Sequence, residues 1–242
     1  MPTPIRFRSY LAPSLPHALF EHVVEHVRRA SGLAVELEFE TRISGPAPDE
    51  PEPFARGEID VGFVCEPSYR WLATLDPAPV LFSVAPTFDD PRAAGEPVYF
   101  SDVVVRANSS AHGFDDLLSS RWTFNDPVSK SGYRVIVDRF ALRERALPSM
   151  TRSGSHLASL HMVASGDVDA AAIDSNVLRL ALRSEPELVS RIRVVESWGP
   201  HAIQPVVMRA ALDAELRERL RDALLRVPAH PTSGFVRFVA TA

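Results

Sequence analysis

The sequence predicts an α/β protein built as two related lobes, each a mainly parallel sheet with helices on both faces. Three observations carry this. Strand-like and helix-like segments alternate along most of the chain, the pattern of parallel sheet covered by helices. The 242 residues suit one large α/β unit or two lobes of about 100 residues each. One octet also occurs twice: GEIDVGFV at 57–64 and GDVDAAAI at 166–173 share glycine, an acidic residue, a β-branched residue, aspartate and then four apolar or small residues. In each copy the glycine can end a helix and the apolar run can be a buried strand. Polar residues that can open a helix follow both times, Glu66-Pro67-Ser68 and Asp174-Ser175-Asn176. Shared context on both sides makes duplication the better reading than chance.

Taken in order, residues 5–11 form a first strand. Residues 16–30 are an amphipathic helix with Leu19, Val23, Val24 and Val27 on one face. Residues 34–39 alternate as a half-buried strand, 44–53 hold four prolines and form a loop, and 59–65 and 78–85 are short apolar strands. A second block opens with a long strand at 99–106, then a short helix at 113–118, a strand at 121–125 and a helix at 133–144 facing inward with Tyr133, Ile136, Val137 and Phe140. Helices at 156–165 and 175–183 alternate with strands at 168–173, 191–196 and 203–208. The last helix, 211–226, buries Leu212, Leu216, Leu220, Ala223 and Leu224.

Hydrophobic residues are 45% and charged ones 24% of the chain, ordinary for a soluble globular protein. A net charge of −5 argues against a nucleic-acid binder, and any anion site must be built locally against that sign. The single cysteine, Cys65, excludes an internal disulfide and reads as a buried residue at the end of a strand. No run approaches the roughly 18 apolar residues of a membrane span. Arg6 and Arg8 are followed by no continuous apolar stretch, so the sequence as given shows no signal peptide. The expectation is a cytoplasmic protein if residues 1–242 are the whole product, and a periplasmic or extracellular one if a signal has been removed.

Two windows carry chemistry. NDPVSKSGY at 125–133 places Ser129, Lys130, Ser131 and Gly132 where a strand hands over to a helix. The first N–H groups of a helix have no partner within it, and its dipole favours an anion there. Two hydroxyls, an ammonium and a glycine that admits close approach would complete an anion site; the alternative is a helix capped by Ser131 with no ligand. SGSHLASL at 153–160 repeats the design, with His156 at the first helical position, where it either donates to an anion or sits on the surface. Parallel topology brings such helix starts to one sheet edge. A third window, EHVVEH at 21–26, spaces His22, Glu25 and His26 like a zinc-peptidase motif, but the apolar face of that helix leaves these side chains on the wet side, without the third protein ligand and cleft that zinc needs. Neither metal nor cofactor is expected.

Together these windows resemble the phosphate/phosphite/phosphonate-binding proteins of ABC importers, a family with the type 2 periplasmic-binding-protein fold. The resemblance rests on DPVSKSGY (126–133), the Ser153-Gly154-Ser155-His156 helix start, GDVDAAAID (166–174), Tyr99-Phe100-Ser101, QPVVMR (204–209) and, more loosely, GEIDVGFVCEPSY (57–69), and it runs from about residue 5 to 226. It implies that Ser129, Ser131, Gly132, Tyr133 and His156 hold the anion's oxygens, that Ser68 and Tyr69 close over it from the first lobe, and that Tyr10 joins them. Asp174 would contact a cationic group of the ligand or cap a helix. Lys130 stands where the family has threonine and either strengthens anion binding or points to solvent; Glu66 would repel an anion or pair with an amine. The implied lobes are 1–97 plus 206–242 and 98–205, with strands near 99–104 and 200–206 as the hinge.

The resulting expectation is a monomeric solute-binding protein that closes on a small oxyanion for uptake through an ABC permease, without nucleic acid or membrane insertion. The alternative is a cytoplasmic enzyme or ligand sensor on the same scaffold, with His156 as acid/base.

Overall fold

The computed structural model describes residues 3–12 and 14–241. In chain order the elements are β1 (Ile5–Ser9), α1 (His17–Ser31), β2 (Val35–Phe39), β3 (Val61–Phe63), α2 (Glu66–Leu72), β4 (Val80–Leu81), β5 (Val84–Phe88), β6 (Val98–Arg106), β7 (Trp122–Phe124), α3 (Val135–Leu142), β8 (Met150–Arg152), α4 (His156–Ser165), β9 (Ala170–Asp174), α5 (Ser175–Ser184), α6 (Leu188–Arg191), β10 (Ile192–Ala202), β11 (Val206–Met208), α7 (Ala214–Leu225) and β12 (Phe235–Ala240). Most expected elements fall within a few residues of their predicted places. The differences are local. The run at 78–85 splits into β4 and β5, the segment 114–117 is a single 3₁₀ turn, and β8, α6 and β12 arise where no strong periodicity marked them.

The chain separates into two compact units, Met1–Pro97 with Ile203–Ala242 and Val98–Ala202. Residues 203–205, read from sequence as part of the second lobe, group with the first. Ile203 N–H donates to the Pro97 carbonyl at 2.9 Å and Val64 N–H to the Pro205 carbonyl at 3.3 Å. Of the two segments expected as connections between lobes, 99–104 lies in β6 within the second unit, and 200–206 spans the division between the units, from the end of β10 to the start of β11.

The first lobe holds a five-stranded sheet in the order β2-β1-β3-β11-β4. β2, β1 and β3 are parallel, β11 runs against β3, and β4 runs against β11. Four of the five strands therefore share one direction. The second lobe repeats this plan as β8-β7-β9-β6-β10, with β6 the reversed strand. In both lobes the reversed strand is the one the chain enters on arriving from the other lobe. The two octets fall on equivalent third strands, β3 and β9.

Side-chain alternation along the strands fills both faces of the second sheet. Val103, Val105, Ala170 and Ala172 point to a core with Phe114, Trp122, Ile136 and Phe140, under α3. Val104, Ala171 and Ile173 point to the other core, with Leu160 and Val163 of α4 and Leu178 of α5. In the first lobe Phe20 of α1 packs at a tilt on Phe63, which packs on Phe7, with Phe7–Phe63 and Phe20–Phe63 centroids 6.2 and 5.2 Å apart. On the other face Tyr10, Phe54, Ile59, Val64, Leu72 and Val207 form a second cluster. A separate two-stranded sheet, β12 against β5, completes this lobe. Cys65 is buried just beyond β3.

The octets share more than sequence. Gly57 and Gly166 both adopt left-handed backbone, φ +67° and +89°, which an L side chain rarely tolerates. Their aspartates make the same clamp. Arg6 N–H donates to the Asp60 carboxylate at 2.9 Å and Asp60 N–H returns to the Arg6 carbonyl at 2.9 Å. Arg121 N–H donates to Asp169 at 2.8 Å and Asp169 N–H returns to Arg121 at 2.9 Å. The clamp thereby locks β3 to its neighbour β1 in one lobe and β9 to its neighbour β7 in the other.

Candidate functional site

The second lobe brings its two Ser-Gly windows together. β7 and β8 are parallel neighbours, and the segments leaving their carboxyl ends are hydrogen-bonded: Ser153 N–H to the Phe124 carbonyl at 2.8 Å and Gly154 N–H to the Asn125 carbonyl at 3.0 Å. The link between the windows' side chains is Ser131 Oγ to His156 Nε2 at 3.0 Å, with both residues buried. Residues 25 apart in sequence thus form one hydroxyl–imidazole couple.

The first window caps differently from expectation. Ser129, not Ser131, is the cap: its Oγ accepts from Gly132 N–H at 3.1 Å. The turn that follows is wider than an α-turn. Arg134 N–H reaches back five residues to the Ser129 carbonyl, and Val135 N–H to the Lys130 carbonyl. This π-turn, a feature frequent at functional sites, releases Ser131 from capping and lets it face His156. Gly132 has no room for a side chain: a Cβ there would lie 2.0 Å from Asn125 Oδ1 and 2.9 Å from His156 Cε1. The Tyr133 ring packs on Phe124, centroids 4.6 Å apart, under the Arg134 guanidinium. The Lys130 ammonium reaches Asp138, 3.5 Å away on the exposed face of α3.

His156 begins α4, capped by Ser155, whose Oγ accepts from Ala158 N–H at 3.1 Å. The imidazole is 4% exposed, so the surface alternative is corrected. Burial lowers its pKa to about 4, because desolvation penalises the imidazolium, and at neutral pH the ring is neutral with one N–H. Asp174 ends β9, buried, and caps α5 by accepting from Asn176 N–H at 2.9 Å. Its β6 neighbour in register is Ser101.

The first-lobe candidates hold their own lobe together. Ser68 is buried, and its hydroxyl donates to the Pro46 carbonyl at 2.5 Å. Tyr10 lies in the cluster beneath α2, and Tyr69 packs against that cluster while half-buried. Burial raises the Tyr10 phenol above its ordinary value. Glu66 pairs with Arg70, one helical turn on. At the third window, His22 Nε2 meets the Pro228 carbonyl at 2.9 Å and Glu25 pairs with Arg28 and Arg29. Among the described residues no three potential ligands form a metal cluster.

The family model described as "ABC transporter, phosphonate, periplasmic substrate-binding protein" matches residues 9–233. Among solved structures, a binding-protein component of an ABC phosphonate transporter from Pseudomonas aeruginosa aligns with a TM-score of 0.75 at 19% identity, over 99% of this chain and 82% of that one. PhnD1 from Prochlorococcus marinus, in complex with methylphosphonate, aligns at 0.78 and 16% identity, over 100% and 93%. A Xanthomonas citri protein bound to ATP aligns at 0.69 and 17%, over 100% and 92%. These likenesses establish the two-lobe type 2 periplasmic-binding-protein fold. No helix among the described residues is long and apolar enough to cross a membrane.

Proposed function

The chain belongs to the family of periplasmic substrate-binding proteins of phosphonate ABC transporters, and on that premise we propose that its second lobe holds the oxyanion head of a phosphonate, phosphate or phosphite. The observation that carries this reading is the buried Ser131–His156 couple joining two helix starts. A neutral imidazole with its proton on Nε2 donates to Ser131 Oγ, which leaves the serine O–H for an anion oxygen. Ser129, the backbone around Gly132, and Tyr133 line the same helix start, whose dipole favours negative charge. Tyr69 contributes from the first lobe, with Ser68 and Tyr10 holding its surroundings in place. Asp174 meets a cationic group where the ligand has one. The lobes close on the ligand, and the loaded monomer delivers it to an ABC permease from outside the cytoplasm. Binding rather than catalysis is the role the family supports.

Isothermal titration with phosphate, phosphite, methylphosphonate, an aminoalkylphosphonate and sulfate tests this. At least one phosphorus oxyanion should bind with a Kd of about 10 μM or tighter. A folded sample that binds none of them overturns it.

A further inference from the structure

We infer that Asn125 is the positioning residue of the anion site, its side-chain carbonyl forming the wedge that seats Gly132 against the imidazole of His156. The inference rests on the functional reading above. Asn125 leaves the end of β7 and is 4% exposed. Its backbone carbonyl accepts from Gly154 N–H, so it ties the second window to the first. Its Nδ2 donates to Asp126 Oδ2 at 3.1 Å, and Asp126 in turn accepts from Val128 N–H at 2.9 Å through its other oxygen and from Ser129 N–H at 3.2 Å through its main chain.

A carboxylate only accepts, so the amide nitrogen must face Asp126 and the amide oxygen must face the other way. That oxygen lies over Gly132. The volume a Cβ at 132 would need is held by Asn125 Oδ1 at 2.0 Å, Asn125 Cγ at 3.0 Å and His156 Cε1 at 2.9 Å. The carboxamide and the imidazole edge therefore border the same missing side chain. Among the described residues Asn125 Oδ1 has no hydrogen-bond partner. Leaving a buried acceptor unpaired is unfavourable, so its retention calls for a role other than hydrogen bonding, and filling the space that sets Gly132 and His156 supplies one. Its neutrality matters as well: a carboxylate at 125 would stand beside Asp126, the imidazole and the bound anion at once.

The test combines the isosteric Asn125→Asp and the truncating Asn125→Ala, each read by methylphosphonate titration and by NMR titration of the His156 ring in unliganded protein. Asn125→Asp should raise the His156 pKa from about 4 by at least one unit, since an adjacent charge favours imidazolium, and weaken binding at least 100-fold. Asn125→Ala should weaken binding about tenfold and make a second change, Gly132→Ala, less damaging than it is alone, because contacting residues couple. Wild-type affinity in both variants, or an unmoved His156 titration in Asn125→Asp, overturns the inference. If wild-type protein binds no oxyanion, the functional reading fails, and the His156 titration alone still decides whether Asn125 positions the ring.

Discussion

The two lobes share a sheet order, an octet and an Arg–Asp clamp, yet they differ where their strands end. In the second lobe the helices after β7, β8 and β9 start on side-chain caps, Ser129, Ser155 and Asp174. In the first lobe α1 and α2 start at Pro16 and Cys65 without a side-chain cap, and β2 leads into a proline-rich loop. The clamp at the amino ends of the third strands has been kept in both lobes, whereas the carboxyl ends have diverged. Scaffold and candidate site are thus separable within one fold, and the capped helix starts that the proposed anion site draws on lie in the second lobe.

The sharpest way to break this contrast is Gly132→Ala. The added methyl meets the carboxamide and imidazole of a packed site, and affinity for methylphosphonate, measured by calorimetry, should fall by at least about 100-fold. The next test uses His156, which has no equivalent in the first lobe. Its folded pKa of about 4 lies below the ordinary value of 6.5. Between these values the unfolded chain binds the proton and the folded chain does not, so stability is full above about pH 6.5 and falls toward pH 4. The loss should reach about 3 kcal/mol. Urea unfolding across that range measures it, and His156→Gln should flatten the slope.

The shared clamp should also prove unequal. Asp60 is buried (side chain 3% exposed) and also accepts from Arg209 at 2.8 Å, whereas Asp169 is 35% exposed. Asp60→Ala should cost about 2–3 kcal/mol by leaving poorly hydrated arginines unpaired, and Asp169→Ala under about 1 kcal/mol; denaturation midpoints give both. The smallest effect is expected at Lys130. Its ammonium faces an exposed aspartate, so Lys130→Met should change oxyanion affinity less than about threefold.

Much of this was legible in the sequence because it is written in local pattern. The octets marked the third strands, and the Ser-Gly-Ser-His start located α4 at 156–165. What stayed hidden depends on distant partners. β12 is a strand because it pairs with β5, and β8 is three residues long with no alternation to read. Ser129 takes the capping role because a π-turn follows, and nothing in SKSGY specifies a turn one residue wider. The burial of Ser68 depends on the approach of Pro46, and the place of Asn125 on three segments meeting at Gly132.

The most direct test of one anion site built from two helix starts is the methylphosphonate affinity of His156→Ala beside wild type at pH 7.5. Loss of the buried imidazole that directs the Ser131 hydroxyl toward the anion should weaken binding by about 10- to 100-fold, with cooperative thermal unfolding retained. Equal affinity in the two folded proteins would contradict the account.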